Sequence, residues 1–326
     1  MFPTNIDIGK IKTLSELAPI LSVSESQLRY FLESKESLIK RGLILKRSGT
    51  FRRIMMAKDD SFRHFLLKLS SLFYSKYELH IPAAVHGFVR GRSIVTNAQQ
   101  HTQKKIVLNV DIENFFDSIS FEQVVALLIS FGFQENIAKV LAELTTVNGI
   151  LATGFSTSPV LSNMACIVMD GVFKSWSKKR NFTYTRYADD LTFSSEQYVP
   201  AQKEIAEILG HFGFKINLDK YRVYRRGGPQ YVTGLTVVDK RPRLGRKRKR
   251  SMRLELYYIK KHGFLNHFYH ALDRATKRHE LPSKFTRTVF FGYGVDGFRA
   301  FMHSIEPRLA CNMQQVLKKE APKARN

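Results

Sequence analysis

The chain has 326 residues, of which 44% are apolar, and its 52 Lys plus Arg outweigh 28 Asp plus Glu to give a formal net charge of +24. That apolar share fills a proper core and excludes a disordered chain, and the length suits one large domain or two to three subdomains. The charge draws polyanions, so nucleic acid is the leading partner; a membrane surface would attract it too, but membrane association is the weaker reading because no window approaches the roughly 18 to 20 apolar residues of a spanning helix.

The N-terminal MFPTNIDIGK lacks a basic segment followed by an apolar run, so no secretory signal is expected. Cys166 and Cys311 stand apart without metal-ligand spacing, which fits a reducing cytoplasm and predicts neither zinc nor a disulfide. Residues 12–41 place Leu14, Leu17, Leu21, Leu28, Phe31 and Leu32 at helical spacing. The spacing predicts a small helical leader, with Ser22 and Ser24 as caps for its second helix. LILKRSGTFRRIMMA, residues 43–57, alternates through a Ser-Gly turn and predicts a basic hairpin. A helix follows, then AAVHGFVRGRSIVTNAQQH, in which basic residues surround two glycines before another helix begins. IVLNVDIENFFDSIS starts as a buried apolar strand, turns acidic at Asp111 and leads to a helix from about Phe121. TYTRYADDLTFSS alternates on both sides of a two-residue acidic break and predicts a hairpin. YVTGLTVVD predicts a further strand pair or strand-turn element. From Arg241 the chain is strongly basic and helical by period, ending in a polar tail. Tyr257, Tyr258, Phe264 and Phe268 recur there at helical spacing and read as core rather than as stacking platforms. No internal repeat divides the chain.

Asp111 ends one strand while Asp189 and Asp190 occupy a hairpin tip, so adjacent strands of one sheet bring the three carboxylates together. Such a cluster suits two Mg²⁺ ions roughly 3.5 to 4 Å apart, placed to activate a hydroxyl and stabilise a leaving oxygen in phosphoryl transfer. Hard oxygen donors are what Mg²⁺ prefers, and carboxylates crowded in this way repel one another without a metal. The alternative for Asp111 alone, an ordinary solvated turn residue, is equally open; it fits the Tyr187-Ala188-Asp189-Asp190 hairpin poorly.

Tyr187-Ala188-Asp189-Asp190 resembles the YxDD box of reverse transcriptases, and Asp111-Ile112-Glu113-Asn114-Phe115-Phe116 resembles their first catalytic motif, in matching order and separation. The resemblance implies an RNA-directed DNA polymerase of α+β class with a right-hand fold: fingers, a palm of antiparallel sheet packed on helices, and a helical basic thumb. Residues 1–42 would form the leader, 43–240 the fingers and palm, and 241–326 an RNA-binding thumb. It implies that Asp111, Asp189 and Asp190 hold two Mg²⁺ ions together with the backbone carbonyl of Ile112. Glu113 and Asp117 read better as solvated or helix-capping residues. Phe116 matches the aromatic beneath the sugar of the incoming deoxynucleotide, where a ring excludes a 2′-hydroxyl; plain core packing is its other reading. Lys220 in GFKINLDK resembles the lysine that neutralises or protonates the departing pyrophosphate. Arg52 in GTFRRI resembles the arginine that clamps the triphosphate, a role Arg53 is placed to share. Gly154 in LATGFSTSPVLSN resembles the glycine of the LPQG box, whose missing side chain permits close approach of nucleotide and template. Ala152 and Thr153 stand where Pro and Gln are usual, and Ala57 where a proline is common.

Asn97-Ala98-Gln99-Gln100-His101 resembles the NAxxH element, and Val232-Thr233-Gly234 the VTG element, of bacterial retron reverse transcriptases. That narrower resemblance implies a cognate structured noncoding RNA and DNA synthesis from a guanosine 2′-hydroxyl. It also implies a branched RNA–DNA product (msDNA) and antiphage defence alongside an effector protein. Asn97 and His101, one helical turn apart, are expected to contact RNA sugar or phosphate; a helix cap or core polar pair is the alternative. The run from Arg241 to Arg250, with Arg243, Arg246, Lys247, Arg248, Lys249 and Arg250, is expected to grip an RNA stem through its phosphates. A solvated basic loop is the alternative there. GYGVDGFRAFMHSIEPRL resembles the family's final helices. Another prokaryotic reverse transcriptase, of group II intron, diversity-generating or abortive-infection type, and a noncatalytic RNA-binding scaffold stay open as rivals.

Overall fold

The computed structural model describes residues 7–45, 51–263, 266–267, 269–270, 302–303 and 305–320. The Ser-Gly turn of the basic hairpin, Phe264, Phe268, the GYGVDGFRAF portion of the final-helix motif and the polar tail lie outside those residues. The chain divides into two compact units, one of Met1–Ser93 with Lys105–Val223, the other of Ile94–Lys104 with Tyr224–Asn326.

In the first unit, local capping starts the helices. Helix α1 (Leu14–Ile20) begins at Thr13, whose hydroxyl accepts from the Glu16 amide while the Glu16 carboxylate accepts from the Thr13 amide. Helix α2 (Glu25–Glu33) is capped by Ser24, whereas Ser22 takes a left-handed φ of 56° in the turn between the helices. The leader ends sooner than its periodicity predicts, because Ile39 already pairs with Ala57 as β1 (Ile39–Leu45) joins β2 (Phe51–Ala57) in an antiparallel hairpin. Helix α3 (Asp60–Tyr77) follows and buries Phe62, Phe65, Phe73 and Tyr77. Helix α4 (Ile94–Gln99) belongs to the second unit.

Strand β3 (Ile106–Ile112) is buried along nearly its whole length. After it come α5 (Phe121–Ser130), capped by Ser120, then α6 (Glu135–Thr145), the short pair β4 (Thr146–Val147) and β5 (Ile150–Leu151), α7 (Ser158–Ala165) and α8 (Ile167–Lys179). The sheet is completed by β6 (Thr183–Tyr187), β7 (Asp190–Ser195) and, after α9 (Gln202–His211), β8 (Ile216–Arg225). Its strand order is β6-β7-β3-β8, with β7 antiparallel to both β6 and β3. This is the α+β architecture expected, an antiparallel sheet packed on helices.

Helix α8 carries Phe173 to within 5.2 Å of the Tyr184 ring and 5.6 Å of Phe193, measured between ring centroids. Tyr184 and Arg186 are two residues apart on β6 and so share one face. Asp170 of α8 meets both. Its carboxylate accepts from the Tyr184 hydroxyl at 2.8 Å and from Arg186 Nε and Nη2 at 2.9 and 2.7 Å. Arg186 Nη1 donates to the Asn163 side-chain oxygen at 3.0 Å and to the Ala188 carbonyl at 3.1 Å. Both Arg186 and Asp170 are fully buried.

The second unit contains a small sheet of order β11-β10-β9, from β9 (Tyr231–Val232), β10 (Leu235–Thr236) and β11 (Arg243–Leu244). The strand pair expected in YVTGLTVVD is β9–β10. Its two turn residues, Thr233 (φ 46°) and Gly234 (φ 82°), are both left-handed, the backbone a two-residue type I′ hairpin demands. Thr233 also donates its hydroxyl to the Ile94 carbonyl of α4 at 3.2 Å. The basic run is not a loop: Arg243 lies in β11, and Arg246 opens α10 (Arg246–His262). A helix at Pro307–Glu320 packs with α10, and Lys249 pairs with Glu306 at 3.1 Å. No described helix is long and apolar enough to cross a membrane.

Removing one member of a buried ion pair leaves the other charge desolvated and alone. Asp170→Ala should therefore destabilise the protein by about 3–5 kcal/mol, read from urea unfolding. A loss below about 1 kcal/mol would show that Arg186 finds other compensation.

Candidate active site

The register of the sheet sets the site. Asp111 of β3 lies opposite Asp190 of β7, and Tyr187 pairs with Asp190, leaving Ala188 and Asp189 as a two-residue turn. Ala188 takes a left-handed φ of 56° in that turn, a conformation unfavourable for a residue with a Cβ. The Asp189 carbonyl accepts from the Ile112 amide at 2.9 Å, which ties the turn to the end of β3.

A second tie comes from the loop after α3. The Arg186 amide donates to the Ala84 carbonyl and the His86 amide to the Arg186 carbonyl, each at 2.8 Å. Asn163 Nδ2 donates to the Gly87 carbonyl at 2.9 Å. A Cβ on Gly87 would fall 2.3 Å from the Ala188 nitrogen, so a glycine is required for the loop to lie against the turn.

The turn opens on a cavity of about 400 Å³ whose wall includes Asp111, Ile112, Asp189, Phe116, Lys220 and Arg52. These are six of the residues expected at the site, contributed by four separate segments of the chain. Asp190 neighbours Asp111 across the strands but is not on this wall. Asp111 is only 5% exposed. Its Oδ1 accepts from Lys220 Nζ at 2.7 Å and its Oδ2 from Asn217 Nδ2 at 3.2 Å. Burial, then repulsion from Asp111, raises the Asp189 carboxyl above its ordinary value, opposed by Lys220 and Arg52. Burial, then the Asp189 and Asp111 carboxylates, pushes Asp190 up to about 7.

Phe115 and Phe116 both line the cavity; Phe115 is buried against Phe214 with centroids 5.7 Å apart, while Phe116 is half-buried. Arg52 and Arg53 are both exposed on β2 and both line the cavity. Gly154 serves a nearer neighbour than a nucleotide. At φ 112°, a Cβ there would lie 2.5 Å from the Met55 carbonyl oxygen, and the adjoining Thr153 carbonyl accepts from the Met55 amide at 2.7 Å. The space freed by Gly154 thus seats the β2 backbone. Thr153 itself lines the cavity, and its hydroxyl donates to Asp117 at 3.1 Å. Glu113 and Asp117 are exposed, and the cap of the following helix is Ser120 rather than either of them.

Asn97 and His101 require correction. Both have 0% exposure in this structure, which fits the alternative of a core polar pair rather than an RNA contact. In the basic run, Arg243, Arg246, Lys247, Arg248 and Arg250 are exposed and Lys249 is half-buried. Arg243, Arg246, Lys247 and Lys249 border a cavity of about 550 Å³ together with Tyr231 and Thr236.

Asn217, Phe88 and the Arg186–Asp170–Asn163 set are site residues that sequence reasoning missed. Asn217 lies in the same GFKINLDK string as Lys220, three residues before it, and that proximity was its available signal.

The donors present fit a divalent cation of the Mg²⁺ type. Among the described residues, no group of three or more His, Cys, Asp or Glu is arranged to hold a metal alone. Mg²⁺ characteristically takes one or two carboxylates and completes its shell with substrate phosphates and water. The crowded Asp111 and Asp189 carboxylates offer that pair of ligands, and their environment favours a positive charge.

A profile of the family described as "Reverse transcriptase (RNA-dependent DNA polymerase)" matches residues 44–253. The chain is similar to the retron Mx65 reverse transcriptase of Myxococcus xanthus, at 34% identity over 69% of this chain and 58% of that protein. It is similar to the retron Mx162 reverse transcriptase of the same organism, at 33% identity over 71% of this chain and 54% of that protein. The chain thus spans a little over half the length of these relatives. Among solved structures, a telomerase from Candida albicans aligns with a TM-score of 0.45 and 13% identity, over 86% of this chain and 62% of that one.

The raised carboxyls give the site a pH signature. With their pKa above the ordinary range, the folded protein holds protons that the unfolded chain releases, so metal-free stability falls as pH rises through that range to about 7. A divalent cation offsets the penalty of the ionised form. Mg²⁺ should therefore raise the thermal unfolding midpoint more at about pH 7.5 than at about pH 5.5, and Asp190→Asn should reduce that difference. An equal gain at both pH values would contradict the assignment.

Proposed function

Because the chain belongs to the reverse transcriptase family, among its bacterial retron-type members, we propose that it is an RNA-directed DNA polymerase. The observation that carries this reading is the shared cavity of Asp111, Asp189, Phe116, Lys220 and Arg52. Asp111 and Asp189, with Asp190 and the Ile112 carbonyl beside them, would hold two Mg²⁺ ions, which when bound would supply the charge for phosphoryl transfer. The chain's own groups divide the remaining work. Arg52, exposed on β2, binds the triphosphate oxygens of a deoxynucleotide, with Arg53 adjacent. Phe116 presents its ring where the sugar lies and excludes a 2′-hydroxyl. Lys220, paired with Asp111 in the free protein, turns to the departing pyrophosphate and neutralises or protonates it.

In the second unit, the cations Arg246 to Arg250 occupy the first turns of α10, with no acidic residue in the first turn. Positive side chains there oppose the helix dipole, and a polyanion relieves both that conflict and their mutual repulsion. This favours phosphate gripping by the basic run, with the cognate noncoding RNA as its ligand. Priming from a guanosine 2′-hydroxyl, a branched msDNA product and antiphage action with an effector protein in the cytoplasm complete the proposed retron role. Their support is the family's retron-type relatives and the VTG turn that α4 braces.

Primer extension on an RNA template with Mg²⁺ tests the activity. The Asp189→Ala, Asp190→Ala double variant should lose at least about 10²–10³-fold in rate; undiminished synthesis would refute the site. Small DNA isolated from expressing cells should carry linked RNA that a debranching enzyme removes, and its absence would refute the branched product.

A further inference from the structure

Phe88 is a large apolar side chain that the fold keeps in the open. It is 41% exposed and lines the same cavity as Asp111, Asp189 and Phe116. Its backbone takes a φ of 59°, a conformation that bulky residues rarely adopt. A free surface loop would relax out of that conformation and turn the ring inward. This loop is clamped on both sides. Before Phe88, Gly87 fits against the catalytic turn and its carbonyl is held by Asn163. After it, the Arg90 amide donates to the Tyr74 hydroxyl at 2.9 Å, and the Arg92 guanidinium donates to the Pro82 carbonyl at 2.7 Å. Backbone strain maintained against such a relaxation marks a position where the side chain itself has a use.

The neighbour of that ring is Phe116. Their centroids are 6.4 Å apart with the planes inclined at 42°, while Phe115 flanks Phe116 at 5.4 Å. Phe116 thus lies between the buried Phe115 ring and the exposed Phe88 ring on the cavity wall. We propose that Phe88 is a specificity-determining residue of the nucleotide pocket: its ring forms a second aromatic wall, meets the sugar of the incoming nucleotide, and fixes Phe116 where it excludes a 2′-hydroxyl. The proposal rests on the polymerase reading above and adds a residue to it. Because the loop that bears Phe88 is hydrogen-bonded to Arg186 of β6 and lies against the turn that bears Asp189, the sugar wall and the catalytic carboxylate keep a constant spacing.

Single-nucleotide incorporation on an RNA template, with a deoxynucleotide or the matching ribonucleotide, separates the possibilities. Phe88→Ala should lower the deoxy-to-ribo ratio of kcat/KM by about tenfold or more, through KM more than through kcat. Phe88→Leu, which keeps bulk, should recover part of the ratio, and Phe88→Tyr most of it. Thermal unfolding of each variant separates loss of fold from loss of the wall, and the graded series stays informative if the alanine variant is unstable. If Phe116→Ala collapses the ratio while Phe88→Ala leaves both the ratio and the deoxynucleotide KM unchanged, the gate stands and Phe88 has no part in it. A wild-type chain that incorporates neither nucleotide would overturn the polymerase reading and this proposal together.

Discussion

The guanidinium of Arg186, wholly removed from solvent, fixes the site. Taking such a charge out of water costs several kcal/mol, and the cost is offset only where every donor finds an acceptor in good geometry. Asp170 supplies two oxygens from α8, Asn163 a third from α7, and the Ala188 carbonyl a fourth from the turn itself. Because the last of these belongs to a residue with φ 56°, the buried charge helps hold the turn in a conformation it would not choose alone. The same arginine's backbone bonds the Ala84–His86 loop, so hairpin, helices and loop share one anchor.

Electrostatics then decide how the carboxylates coexist. Asp111 is buried and opposite Asp190, with Asp189 one residue earlier in the chain, and the strand register forces the three to be neighbours. In the free protein Lys220 puts an ammonium on Asp111, and the more exposed partner, 54% accessible, is the lysine. A long flexible cation that can leave is suited to a site that must accept another cation and a triphosphate. The arrangement relieves repulsion without closing the cavity.

Much of this was legible in the sequence where local rules suffice. A buried apolar run ending in Asp111 reads as β3, an acidic break between alternating stretches reads as the β6–β7 hairpin, and Thr-Gly between two short strands reads as a tight turn. What failed was orientation. Asn97 and His101 have the spacing of a helical face, but spacing does not say whether that face meets solvent or core, and here it meets core. Gly154 signalled a close approach correctly, while the partner, the Met55 backbone, comes from a strand about a hundred residues earlier. Arg186, Asp170 and Asn163 had no signal, since their meeting depends on how α7 and α8 pack on β6. Phe88 was hidden for a related reason: its exposure follows from Gly87 wedging against a turn one hundred residues away, and no local pattern encodes that.

The claim that Asp111 and Asp189 form a cation site facing a nucleotide pocket is open to direct observation. Crystals of the chain with an RNA–DNA primer duplex, an unreactive deoxynucleotide and Mn²⁺ would give anomalous scattering from the metal. The account predicts peaks between the Asp111 and Asp189 carboxylates and the triphosphate, on the side of the cavity that Phe116 faces. Nucleotide bound with its metal away from both carboxylates would contradict it.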